Sequence, residues 1–523
     1  MGAGNPKMLL AQANTEDYDY WVQACEMQVA LEKYPEALTA CDTAIAIDPQ
    51  DPRVWLERAT ALLATADYAN AVLAYERALR FGGPNSGALA GQCESRVFLE
   101  QYPEAITDCN EALKLDREWD HASLARTWYF RGEAEIALND LDAAASAYRW
   151  ATQLEPDFAP ALAGQCRVSL QRGKFTAALN TCQDALTGNW HDFSPALALA
   201  SIARAQTSLG QFTAALTSYN QAIALTPDDA SLWIEHGALL QQLGRYQEAV
   251  ASQNWAVSID PTSALALTSL CTALNRRDRD LGQPEAPPEG TLSALAACNK
   301  ALQESDNRWG ELGPAVAWAE RGNALINAGQ DEEALASFVR SLALAPNRAE
   351  TWSDRAVALW NLERFSEALN AAKSALQRDP GLLKAQYNKG RILATLGRDN
   401  DAIRAYQQAL AGDGRPVDPN ERTAVLVNLS ALLWRSQAYS EALQRTQEAL
   451  ALQPNSVDAL LNQSLSLIAL ENYDEARETI ERLLELAPDR PDALRILAIL
   501  QQATPAPQPA DTGPTTNGPT TNG

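Results

Sequence analysis

The sequence predicts an all-α solenoid, an α-α superhelix of stacked antiparallel helix pairs. Three observations predict it. One alanine recurs in a single register, at Ala37, Ala71, Ala105, Ala144, Ala178, Ala215, Ala249, Ala294, Ala334, Ala368, Ala402, Ala442 and Ala476. Seven of its twelve intervals are 34 residues and the other five are 37 to 45; a fixed period of about 20–50 residues marks a repeat array. Finally, each alanine lies in a segment of helical spacing, and a second such segment lies upstream of it.

The downstream helix opens on an aromatic residue and closes near a proline, as in YPEALTACDTAIAIDP (34–49), YQEAVASQNWAVSIDP (246–261) and FSEALNAAKSALQRDP (365–380). Proline cannot continue a helix, so it ends the unit. The upstream helix often carries a tryptophan, at Trp21, Trp55, Trp128, Trp233, Trp318 and Trp352. A small residue follows four positions later in several units, as at Gly132, Gly237 and Gly322; Gly390 holds the same place in its unit. Such spacing puts both on one helical face, where small residues let backbones approach. A Gly, Asp or Asn before the aromatic marks many turns, as in LGRYQEA (243–249). Neither helix can bury its apolar stripe alone, so stacked neighbours complete the core.

This pattern resembles the tetratricopeptide repeat family, W-x2-L-G-x2-Y, then A-x3-F and a final P. About thirteen units begin near residues 18, 52, 86, 125, 159, 196, 230, 264, 315, 349, 383, 423 and 457. Units 1–8 fill 18–302, with an insertion at 275–290; 303–314 reads as a linker. Units 9–13 fill 315–490, with an insertion at 412–422. Residues 491–502 read as a capping helix, and 503–523, with its doubled GPTTNG, as a disordered tail.

The cysteines follow the unit. Cys25, Cys93, Cys166 and Cys271 fall at position 8, on the first helix; Cys41, Cys109, Cys182 and Cys298 fall at position 24, on the second. Antiparallel packing brings these positions level, so a disulfide within each pair is sterically feasible. The alternative is that both sites tolerate a buried thiol. Each bond would close a loop worth ~3 kcal/mol, and four of them would point to an oxidising compartment. Residues 1–13 read as the remnant of an export signal, since Ala11-Gln12-Ala13 has the A-x-A form and follows Met8-Leu9-Leu10. The expected address is extracytoplasmic (periplasm, thylakoid lumen or secreted space); the alternative is cytoplasmic, with reduced cysteines.

Catalytic signatures are missing: no Walker loop, H-E-x-x-H, G-x-S-x-G or C-x-x-C occurs. His236 reads as a structural imidazole, while His121 and His191 fall in connections. The acids of GDGRPVDPNE match no calcium-loop spacing. No enzyme activity, cofactor or metal site is expected. A net charge of −24 argues against a nucleic-acid partner, and no run of eighteen apolar residues offers a membrane span.

The resemblance implies a protein or peptide partner held in a groove lined by first helices. Its groove positions carry two candidate patches: Arg126, Arg167 and Arg204 in units 4–6, and Asn388, Asn428 and Asn462 in units 11–13, with Lys384, Arg391, Trp434 and Arg435 nearby. The arginines suit carboxylates of an extended partner; the amides suit a peptide backbone. Each set also reads as solvated charge or ordinary repeat packing. No unit pairs Lys at position 5 with Asn at position 9, so the family's two-carboxylate clamp is not expected. The reading is a non-catalytic exported scaffold that organises a complex. Its rivals are a cytoplasmic adaptor and an envelope protein that delivers metal from an acidic surface.

Overall fold

A computed structural model describes residues 18–281, 292–310, 313–412 and 418–503. Among these residues lie 27 helices: thirteen antiparallel pairs and one last helix, Pro491–Ala503. The chain forms two compact halves, one ending at Ile259 and one beginning at Asp260. Repeats 1–7 make the first; repeats 8–13 and the last helix make the second. Within each half, a helix packs on its pair mate and on the next repeat.

The recurring residues have separate physical tasks. Of the thirteen register alanines, twelve are 0% exposed and Ala294 is 7% exposed, so a larger side chain has no room at the helix contact. Trp55, Trp233 and Trp352 each donate Nε1–H to the carbonyl of a proline six residues earlier, Pro49, Pro227 and Pro346, at 2.9 Å. The tryptophan thereby satisfies a carbonyl left over where the proline breaks the chain. Turns within repeats pass through a left-handed residue, Gly244 (φ 71°) in repeat 7 and Glu363 (φ 57°) in repeat 10.

Positions 8 and 24 meet in seven repeats that fill them in two ways. In repeat 4 (Leu124–Ala137 and Leu141–Leu154) Gly132 faces the ring of Tyr148, and Gly164 of repeat 5 closes on the same ring. Gly322 with Phe338 and Gly390 with Tyr406 repeat the arrangement. In repeats 1, 3, 5 and 8 the sites hold disulfides: Cys25–Cys41, Cys93–Cys109, Cys166–Cys182 and Cys271–Cys298, with Cα separations of 4.9, 5.4, 5.4 and 5.4 Å. No cysteine is free. All eight are fully buried.

Some boundaries differ from the sequence reading. Residues 275–280, expected in an insertion, continue the first helix of repeat 8, Ala264–Asp280. Asn275 Nδ2 donates to the Glu320 carbonyl (2.8 Å) and carboxylate (2.9 Å), so this turn is tied to repeat 9. Residues 419–422 open the first helix of repeat 12, Pro419–Arg435, capped by Asp418. The stretch 304–310, expected as linker, is pinned to the start of repeat 8 by Asp306, whose Oδ1 accepts from Ala264 N at 3.0 Å. The export-signal-like segment 1–13, the rest of both insertions (282–290 and 413–417) and the tail from 504 lie outside the described residues.

Candidate functional site

Arg126 anchors the candidate site of the first half. Ser123 caps its helix by accepting from Arg126 N (3.1 Å), which fixes where the side chain starts. The guanidinium forks onto Glu94 of repeat 3 at 2.8 and 2.6 Å and reaches Asp192 at 2.8 and 3.1 Å. It also lies over the Phe193 ring, 4.7 Å from the centroid. Burial pushes the Glu94 carboxyl up, while the bonds from Arg126 pull it down. For Arg126, burial works against the charge, and Glu94 and Asp192 more than restore it.

Asp192 and Phe193 belong to the connection between repeats 5 and 6. Backbone bonds Asn189 N–Asp157 O (2.6 Å) and Ala159 N–Asn189 O (2.9 Å) fold that connection back along repeat 5. Phe193 then packs on Tyr129, Phe130 and Phe158. The other two arginines of the row are likewise paired inside the protein. Arg167 donates to Glu133 (2.6 Å) and to the Tyr148 hydroxyl (2.9 Å). Arg204 forks onto Glu235 at 2.7 and 2.6 Å. The row thus bonds carboxylates of adjacent repeats.

Beside Arg126 opens a cavity of about 440 Å³. Its rings are Tyr34, Tyr68, Tyr75, Phe98 and Phe193, and its acids Glu94, Asp120 and Asp192. Asp120 and His121 come from the connection before repeat 4. Gly87 lets that connection in, since a β-carbon there would stand 2.6 Å from Trp119 O. His121 Nε2 stands 3.1 Å from both Glu57 oxygens.

The second half has a cleft of about 240 Å³ along repeats 8–12. Its charged residues are Arg279, Asp354, Lys384, Arg391 and Glu421. Lys384 is bonded to Asp354. Arg391 lies over Trp360, 4.3 Å from the ring centroid, and 5.7 Å from that of Tyr387. Among the described residues neither Arg391 nor Arg279 meets a carboxylate. The asparagines bond within the stack: Asn388 Nδ2 to Ser353 Oγ (3.0 Å), Asn428 Nδ2 to the Tyr387 hydroxyl (3.1 Å), and Asn462 Nδ2 to Val427 O and Ser430 Oγ (both 3.1 Å). Trp434 donates to Leu465 O (3.1 Å), and Arg435 pairs with Asp399 (3.0 Å). Of the second patch, Lys384, Asn388 and Arg391 share the cleft; Asn428, Trp434, Arg435 and Asn462 are not among its lining residues.

Tetratricopeptide repeat models match residues 28–86, 129–193, 230–263, 315–348, 353–419 and 433–500, and a TPR repeat model matches 203–244. The chain belongs to the tetratricopeptide repeat family. No curated protein matches it. Among solved structures, it is similar to the APC/C hetero-tetramer Cut9-Hcn1 at 15% identity, covering 95% of this chain and 98% of that one with a TM-score of 0.48. It is similar to yeast Tom70 at 15% identity, covering 93% and 95% of the two chains with a TM-score of 0.42.

The cavity of this TPR chain escapes sequence reasoning apart from Arg126 and Glu94, which fall at groove positions of the repeat. A signal was present. The intervals Ala105–Ala144 and Ala178–Ala215, 39 and 37 residues, exceed the 34-residue period. Their extra residues are the connections that bring Asp120, His121, Asp192 and Phe193 to the groove.

Proposed function

We propose that this TPR protein is a non-catalytic scaffold that holds an acidic, extended segment of a protein partner against the concave cleft of its second half. One observation carries the reading: Arg391 and Arg279 line the cleft without a carboxylate among the described residues, whereas Arg126, Arg167 and Arg204 are each paired internally. In a chain of net charge −24, a cleft with three basic residues and two acids is a local exception. Arg391, held over the Trp360 ring, keeps its N–H donors available for carboxylates. The four disulfides support an extracytoplasmic address, where such a scaffold would serve the assembly of an envelope or lumenal complex.

The test is capture from non-reduced extract of the native host with wild type, Arg391→Glu and Arg279→Glu. The reading expects the same partner to be retained by wild type and lost by either variant, at unchanged helicity and melting midpoint. Equal retention by all three would reject the cleft.

A further inference from the structure

We propose that the cavity of the first half is a receptor for a basic side chain, an arginine or lysine presented by a peptide segment. Three carboxylates, Glu94, Asp120 and Asp192, line it, against one permanent cation, Arg126. Arg126 is already bonded to Glu94 and Asp192, and a single positive charge cannot balance both. Asp120 makes no ion pair among the described residues: its Oδ2 accepts from the neutral Asn85 amide at 2.8 Å, and its charge acts only at a distance on the neighbouring His121. His121, the other basic group at the rim, faces Glu57. The cavity is therefore anionic, and its walls are aromatic.

Aromatic faces and fixed carboxylates together recognise an organic cation with an apolar stem. The Tyr68 and Phe98 rings stack at 4.4 Å, and Phe98 is 47% exposed, so its face is open to a ligand. The site already holds one such group: Arg126 lies between two carboxylates and over Phe193. The cavity's open volume, lined also by Tyr34, Tyr68 and Phe98, offers the same combination of rings and carboxylates to a second cation. The negative field reaches those rings, since after burial the phenol of Tyr34 is raised further by Glu32 and Asp192, and that of Tyr68 by Glu94. About 440 Å³ suits a side chain rather than a folded element, and lies within the range of about 300–1,000 Å³ for small-ligand sites. The inference rests on the scaffold reading only in taking the cation from a protein.

The experiment titrates full-length, oxidised protein into fluorescein-labelled, end-blocked peptides Gly-Leu-X-Leu-Gly, with X arginine, lysine, norleucine or glutamate. The expected result is binding of the arginine and lysine peptides at least about tenfold tighter than the norleucine peptide, weakening as salt rises. Asp120→Asn and Phe98→Leu should each weaken the arginine peptide severalfold at unchanged melting midpoint, and Arg391→Glu should leave it unchanged. Equal binding of norleucine, no binding of any peptide, or indifference to both cavity variants would overturn the proposal. Displacement by free butylamine at the same affinity as the peptides would reassign the site to small amines. Dimerisation abolished by Asp120→Asn would reassign it to a second copy of the chain. None of these results bears on Arg391-dependent capture, so the two readings fail separately.

Discussion

Gly132 faces the ring of Tyr148 so closely that a β-carbon on it would stand 2.6 Å from Cε1. The ring cannot retreat. Its hydroxyl donates to Glu133 at 2.8 Å and accepts from Arg167 at 2.9 Å, and Gly164 presses from the next repeat. Gly132→Ala would gain about 1 kcal/mol of helix propensity, but overpacking a fixed ring costs about 1–3 kcal/mol. Net destabilisation is expected, seen as a lower thermal midpoint by circular dichroism. A raised midpoint would show that the ring is free to move.

Cys166 and Cys182 occupy in repeat 5 the two sites that Gly132 and Tyr148 occupy in repeat 4. Replacing both cysteines by alanine removes a cross-link worth about 2–4 kcal/mol and leaves the facing helices underfilled. Cys166→Gly with Cys182→Tyr restores ring-on-glycine packing, against the small Ser201 of repeat 6. The second double variant should therefore melt above the first. The reverse order would deny that the two fillings are equivalent.

Asn462 joins repeat 13 to repeat 12 through Val427 O and Ser430 Oγ. Asn462→Ala should cost about 0.5–1.5 kcal/mol through the lost hydrogen bonds, since Val427 O and the Ser430 hydroxyl keep their bond to each other at 2.7 Å. Hydrogen exchange should report the loss in repeats 12 and 13 while repeats 1–7 keep their protection.

His121 is held above the ordinary imidazole value, chiefly by its hydrogen bond to Glu57, with burial opposing and the charges of Glu57 and Asp120 adding. A histidine whose folded value is raised contributes stability that is complete below the unfolded value, about 6.5, and is lost as pH rises through the folded value. The midpoint gap between wild type and His121→Gln should accordingly be largest below about pH 6 and shrink by about pH 8. A gap independent of pH would contradict the pairing.

The fold was legible because a solenoid writes its packing into a period: the alanines, the terminal prolines and the cysteine pairs each occupy one register. The arginine row was legible as a row. Its bonding was not, because Arg126, Arg167 and Arg204 find their acids one repeat away, Glu94 and Glu133 behind and Glu235 ahead, a choice made by rotamer and crossing geometry rather than spacing. The asparagines show the same limit. Their shared position 6 is compatible with gripping a peptide or a neighbouring helix, and Asn388 and Asn462 each donate to the preceding repeat. Asp192 and Phe193 were hidden for a different reason. Residues added to a connection carry no periodic signal, and tertiary contacts, the backbone bridge at Phe158 and Asn189 among them, decide where they lie.

Covalent clamping of four helix pairs is the claim on which the compartment and the choice of partners depend. Its most direct measurement is intact mass after alkylation under denaturing conditions, on protein taken from its native host with and without prior reduction. The account predicts no alkylated cysteine before reduction and all eight after it. Eight alkylated cysteines before reduction would contradict it.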